Sequence, residues 1–552
     1  MRRPNRTLLL LGAIPPLGLA AFVFLGSGAE RLEPCTEAHR PAATYPDYSG
    51  VTVPPNLAPL NLKVLERGRK FCLRLSGNAG TPVEIFSSDG RIGIRPSAWR
   101  KLLDANPGGE LRMDVYAKGD SGWTHFDTGR NRIAADRIDP YVVYRYLPPV
   151  FNKWDHISIR QRDLRSFDER VLFDNLNSTD PSGKSIEDAC VNCHTFLNHG
   201  TQKMLLHMRP AQKYQIPAMI LVQNGRAEKI DTRNGKPPAA YITWHPNGKL
   251  LAFSRNRLAQ IFHTAGVETR DVVDKESDLG LYSLESGKSF TVPQISRPDR
   301  LETFPTWSPD GKYLYFSSAR VFWKDLKNGA LDVYDQVRYD LMRIAYDAAT
   351  GQWGQVETVI AAAEFGRSVS LAQISPDGRY LMFCGHAYGS FPIFQPSSDL
   401  YLLDLSQIQS PPVRFQPAGS PAAPAPDSKP LASGKAAPRR LDEINSDRTD
   451  SYHCWSANGR WVIFTSKRED GMFGRLYITH LEADGRFSKP LIIPQADPDF
   501  YGRTLMTFNR PELIREPVTV SGTELARAMN SNRSAAQPAN ATPLPQDERM
   551  HQ

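Results

Sequence analysis

The sequence predicts an all-β protein whose larger part is a β-propeller of five or six blades, preceded by a small β-sandwich. Three observations predict it. Four segments share one pattern: Trp244-His-Pro-Asn-Gly-Lys, Trp307-Ser-Pro-Asp-Gly-Lys, Ile374-Ser-Pro-Asp-Gly-Arg and Trp455-Ser-Ala-Asn-Gly-Arg, each running into an alternating strand. A tight turn with glycine free to take positive φ, followed by period-2 apolar alternation, is a hairpin signal. Each segment is followed by a further strand pattern, at Leu279–Leu284, Tyr339–Tyr346, Leu400–Leu405 and Arg475–His480. One unit is thus four strands, the size of a propeller blade. Finally, 39 Gly and 44 Pro among 552 residues, with 10% aromatic residues, favour short strands and tight turns over long helices.

Taken along the chain, Arg2, Arg3 and Arg6 precede an apolar run from Thr7 to Leu25, and Ser27-Gly28-Ala29 supplies small residues for cleavage after Ala29. This is the order of an export signal, and the run is also nearly long enough to serve as an uncleaved membrane anchor, so residues 1–29 stand as either. Residues 30–49, with Pro34, Pro41 and Pro46, read as a linker. Residues 50–150 carry short alternating runs (Phe71–Leu75, Val83–Phe86, Leu111–Tyr116, Trp123–Phe126) and one short helix near Ala98–Ala105, the pattern of a sandwich. Residues 151–202 form a cofactor-binding segment, and 203–520 the propeller. Met204–Met208, Ala218–Val222 and Ala227–Asp231 supply an upstream blade, while Thr504–Phe508 and Val518–Val520 are placed to close the ring with early strands. Pro411–Arg440 is rich in Pro, Ala and Ser and reads as a disordered insertion; residues 521–552 lack apolar periodicity and read as a disordered tail.

Lys plus Arg number 67 and Asp plus Glu 59, a formal charge of 67 − 59 = +8, which falls to +5 without the three arginines of the leader. No Lys/Arg run interleaves with stacking aromatics, which argues against nucleic acid as a partner. Forty per cent hydrophobic content excludes both a polytopic membrane protein and a largely disordered chain.

The most informative stretch is Cys190-Val191-Asn192-Cys193-His194. Two thiols three positions apart can reach the two vinyl groups of a haem, and the imidazole that follows can ligate its iron. A zinc site would want a second Cys pair nearby, and a thioredoxin-like pair a βαβ setting; neither accompanies the motif. One covalent haem c is therefore expected, held by Cys190, Cys193 and His194. For the distal iron ligand His207 is the first candidate, on the strand face shared with Leu205 and Arg209, and Arg209 is placed to pair with a propionate. Met208 and His263 are alternatives, with His386 and His453 as further propeller-loop histidines; an open iron site is also consistent. Cys35 with Cys72 and Cys384 with Cys454 are candidate disulfide pairs in an oxidising exterior.

The repeats resemble the PD40 repeats of TolB-like propellers, over roughly residues 200–520. A haem motif directly ahead of such repeats resembles a group of exported bacterial propeller-cytochromes, on Arg160-Gln-Arg-Asp-Leu164, Lys203-Met-Leu-Leu-His-Met-Arg209, Asp450-Ser-Tyr-His453 and Asp497-Pro-Asp-Phe-Tyr501 as well. The resemblance implies a TolB-like fold and a haem more than a role, because propellers host many functions. No Gly-x-Ser-x-Gly elbow, His-Glu-x-x-His or Walker loop is present, so an electron carrier or binding protein is favoured over an enzyme. The leading expectation is electron transfer in the cell envelope with a redox partner protein. The alternatives are an envelope interaction propeller whose rim binds a protein partner and whose haem is structural or sensory, and a haem enzyme such as a peroxidase.

Overall fold

A computed structural model describes residues 31–149, 157–175, 190–209, 218–232, 239–266, 268, 270–325, 329–410, 412–415, 430–432 and 434–531. The predicted leader, 1–29, and tail residues 532–552 lie outside them, as do most of 411–440 and the side chains of Cys190 and Arg209.

The repeat's residue types explain its turns. In Ser308-Pro-Asp-Gly, Ser308 Oγ donates to Asp310 Oδ1 at 2.6 Å and accepts from Tyr313 N at 3.0 Å, while Asp310 accepts from Lys312 N at 3.1 Å. Gly311 completes the reversal at φ +73°, where a Cβ would meet His245 Nε2 at 2.5 Å. Ser375 and Asp377 repeat these bonds, and Ser456 and Asn458 do so with an amide.

Each turn joins the first two strands of a four-stranded antiparallel sheet, and six such sheets occur among the described residues. Their innermost strands are Cys190–Phe196, Ala239–Trp244, Arg300–Trp307, Ser368–Ile374, Asp450–Trp455 and Thr507–Ile514, and each touches the next around a closed ring. The chain is an all-β propeller. Its core lies between neighbouring sheets, where both faces of most strands are buried.

The ring closes as a zipper: Thr507–Ile514 pairs antiparallel with Tyr141–Leu147, whose sheet continues through Ser158–Asp163 and Glu169–Asp174. The propeller therefore begins at Tyr141, not at residue 203, and takes its first strand from what the sequence assigned to the sandwich. Val518–Val520 is not the closing strand; it is irregular, and Val518 and Val520 pack beneath a helix, Gly522–Asn530. That helix replaces the expected disorder at the start of the tail. Ser521 and Glu524 form a capping box, and Leu525, Ala526, Ala528 and Met529 are buried.

Two further boundaries move. The expected linker contains the strand Cys35–Pro41, paired parallel with Gly122–Asp127. The end of the expected insertion is ordered: Leu431 and Ala432 bond to Thr358 and Val359, and Arg439–Arg440 is a sheet's fourth strand. The N-terminal unit consists of a seven-stranded and a three-stranded sheet with the helix Pro96–Asp104, close to the predicted position. It shares a core with the sheet of Asp450–Trp455.

Candidate functional site at the ring centre

Every inner strand carries a bulge at one height. The register slips between Ala240 and Thr243, Thr303 and Thr306, Ser370 and Gln373, and Ser451 and Cys454, and likewise opposite Asn509 and Glu512. In the first inner strand it slips between Val191 and His194. Asn192-Cys193-His194-Thr195 therefore occupies the place of Tyr241-Ile-Thr-Trp244. The Cys-x-x-Cys-His motif is the inner strand of a blade, not a segment ahead of the propeller.

At the bulge, Tyr241 (φ 48°), Phe304 (φ 51°), Leu371 (φ 54°), Tyr452 (φ 45°) and Arg510 (φ 48°) adopt left-handed backbone. A non-glycine residue pays about 1–2 kcal/mol for this, and the bulge holds it there. Their side chains meet around the axis: the Tyr241 and Phe304 rings lie 4.4 Å apart, and the Arg510 guanidinium stands 5.5 Å from the Tyr241 ring and 5.7 Å from that of Tyr452. Above them opens a cavity of ≈ 510 Å³. Below them Phe391 contacts Tyr241 at 6.0 Å and Phe304 at 5.9 Å.

That lower end is covered by a strap. The strands Leu250–Phe262 and Arg270–Ser283 are 13 and 14 residues long and extend beyond their sheet. Asp271 accepts from Tyr388 Oη at 2.9 Å, Asp274 accepts from Tyr339 Oη at 2.9 Å and Ser390 Oγ at 2.6 Å, and Glu268 forms a buried ion pair with Lys467. These partners come from three other sheets, so the strap spans the ring and, among the described residues, leaves the cavity open at one end.

The predicted haem residues are divided by this geometry. Cys193 is 3% exposed, and its thiol accepts a long bond from Arg510 Nη1 at 3.6 Å. His194 is 1% exposed. Burial, with the Arg510 charge, holds its imidazole down to about 3, so it is neutral. The backbone of Val143 and of Arg510 lies nearby, yet neither ring nitrogen has a hydrogen bond of ordinary geometry. Four other buried histidines differ. His245 meets Gly311 O at 3.1 Å, His386 meets Ser370 Oγ and Tyr388 O at 2.9 Å each, His453 meets Met382 O at 3.0 Å, and His480 meets Glu482 at 3.1 Å.

The register places His194 and His207 on opposite faces of their sheet. His194 is registered directly opposite Leu206, so the two share a sheet face with Met204, Met208 and Val191. His207 alternates to the other face, with Leu205, where Cys193 also packs. Neither face is open: Leu205, Leu206 and Met208 are fully buried and His207 is 1% exposed. Met208 is core packing on the His194 face. His263 lies at the strap, bonded to Asp271 at 2.8 Å. Arg209 is registered opposite Cys190 at the end of its strand.

The candidate disulfides are not formed: Cys35, Cys384 and Cys454 are free thiols. Cys35 and Cys72 lie three strand spacings apart in one sheet, roughly 14 Å, beyond the reach of a disulfide. Arg510 and the aromatic floor were missed. Their signal was the position three residues before Trp244, Trp307, Ile374, Trp455 and Leu513, on the strand preceding each turn.

Fold and site together define a propeller with a blind axial cavity and a Cys-x-x-Cys-His motif in its inner wall. No family model and no curated protein matches the chain. Among solved structures, TolB from Acinetobacter baumannii is similar at 14% identity and a TM-score of 0.38, over 76% of this chain and 85% of that one. Prolyl oligopeptidase B from Galerina marginata matches at 11% identity and TM-score 0.35, over 64% and 44%, and a tricorn protease at 11% and 0.31, over 80% and 48%. This chain spans about half the length of the last two. Likeness at this level carries no argument about what the chain does.

Proposed function

We propose that this chain is an exported c-type cytochrome on a propeller scaffold, carrying one haem c on Cys190 and Cys193 with His194 as an iron ligand, and passing electrons to a redox partner protein in the cell envelope. The observation that supports it most is the His194 imidazole, buried, neutral and without a hydrogen bond of ordinary geometry at either nitrogen. An orphaned buried polar group costs about 1–3 kcal/mol, and ligation removes that cost. The Cys193 thiol is free as well. A bound haem supplies one-electron chemistry.

The chain's own residues set the order of assembly. Cys193 and His194 leave the strand on opposite faces and are both covered, and a covered thiol does not react. A haem held by these residues would therefore be attached before Cys190–Phe196 is seated between its neighbours. The test is to express the full chain with its own leader in a host that matures c-type cytochromes. Covalent haem that survives denaturation, and is lost in Cys190→Ser/Cys193→Ser, is the expected result. Exported protein without covalent haem overturns the reading.

A further inference from the structure

Arg510 has no role in holding the fold's ion pairs. Its polar contact is the Cys193 thiol, and among the described residues no carboxylate oxygen comes within 4.0 Å of it. A charge at the blind end of a cavity, resting on two tyrosine faces, is stabilised by cation–π contact but left uncompensated. Glu512, also in the cavity wall, does not compensate it: burial pushes its carboxyl up to about 8, so it keeps its proton at neutral pH, accepting from Phe196 N at 3.1 Å. At the rim Arg515 is exposed and bonds only a carbonyl, Asn198 O, at 3.1 Å. The cavity is thus positive, with aromatic and proline walls, and its ≈ 510 Å³ falls within the range of small-molecule sites.

We propose that the axial cavity is a binding site for a carboxylate carried on an apolar or aromatic group, with the carboxylate on the Arg510 guanidinium and the apolar part against Tyr241, Phe304 and Tyr452. A planar fork of donors suits a carboxylate's two oxygens. The single opening admits either a free organic acid or the C-terminus of a peptide; both present the same chemistry. The site does not rest on the haem reading.

The experiment is calorimetric titration of the full chain with N-acetylglycyl-phenylalanine, its C-terminal amide, 3-phenylpropionate and inorganic phosphate. The acid should bind about tenfold or more tightly than the amide, as expected for one charge-assisted hydrogen-bonded pair. Arg510→Gln should remove that preference. Tighter binding of the peptide acid assigns a peptide terminus, and equal binding of 3-phenylpropionate a free organic acid. Because Arg510→Gln can fail to fold, Thr306→Trp on the cavity wall serves as a second variant: it fills the cavity without touching the charge, and should abolish binding. The proposal is overturned if no acid binds at millimolar concentration, if acid and amide bind alike, if phosphate alone binds, or if Thr306→Trp binds as before. Binding confined to the haem-free Cys190→Ser/Cys193→Ser chain also overturns it, by assigning Arg510 to a haem propionate.

Discussion

Replacing His194 by leucine in the Cys190→Ser/Cys193→Ser chain isolates the observation on which the haem reading rests. In that background no haem can be attached, and the imidazole keeps one buried N–H and one buried lone pair without a hydrogen bond of ordinary geometry. At about 1–3 kcal/mol for each unsatisfied group, the site stores about 2–6 kcal/mol of avoidable cost. Leucine has a similar volume and faces Val191, Leu206 and Phe196, apolar residues of the same buried cluster, so it fits with little cavity or overpacking. The substitution should therefore stabilise the haem-free chain by at least about 2 kcal/mol. With urea slopes of about 1–3 kcal/mol/M, the unfolding midpoint by tryptophan fluorescence should rise by about 0.7–2 M. In the haem-bearing chain the same change removes an iron ligand and should lower the midpoint. A fall in the haem-free background would mean that the imidazole is well paired in the fold, and the argument from its orphaned nitrogens would be lost.

Three other outcomes follow from particular residues. His207→Ala should leave the absorption spectrum of the haem-bearing protein unchanged while His194→Ala alters it; a spectral change with His207→Ala would contradict the opposite-face placement. Glu302 is 1% exposed with an unpaired Oε2, and burial, reinforced by Asp278 and opposed by Arg300 and Arg297, pushes its carboxyl from near 4.5 up to about 8. Its proton is kept on folding, so the stability it allows is full below the unfolded pKa and is lost as pH rises towards 8; Glu302→Gln should flatten that loss, a difference of about 3–5 kcal/mol at most between pH 5 and 8 in paired urea titrations. Ending the chain at Met506 removes the closing strand and with it buried Phe508, Leu513 and Ile514; at about 1.5–3 kcal/mol each, before the lost strand pairing, this rivals a whole domain's stability. Circular dichroism and protease resistance should show no cooperative fold, and a resistant propeller from that chain would refute the zipper.

The repeat was legible because each blade is a local object. Ser-Pro-Asp-Gly builds its own turn from bonds within five residues, and the strand after it declares its two faces by alternation, so the all-β class and four of the sheets could be read from the chain. Ser521-Gly-Thr-Glu524 was equally local, and its capping box was legible though it was read as tail. What the sequence could not declare was pairing between distant segments. Thr507–Ile514 meets Tyr141–Leu147 across more than 350 residues, and nothing in either strand names the other. The same holds for the strap, whose Glu268 finds Lys467 across 199 residues.

The sequence by itself determined the chemistry available at the ring centre: two thiols and an imidazole in order, and the arginine at position 510. Only the tertiary structure decided where that chemistry points. A strand's alternation is relative until its partner's register is known, and here the register sets His194 beside Leu206 and turns His207 away from it. Likewise the bulge repeated around the ring brings Arg510, Tyr241 and Tyr452 to one axis, because only closure of the ring makes neighbours of residues that sequence separation keeps apart.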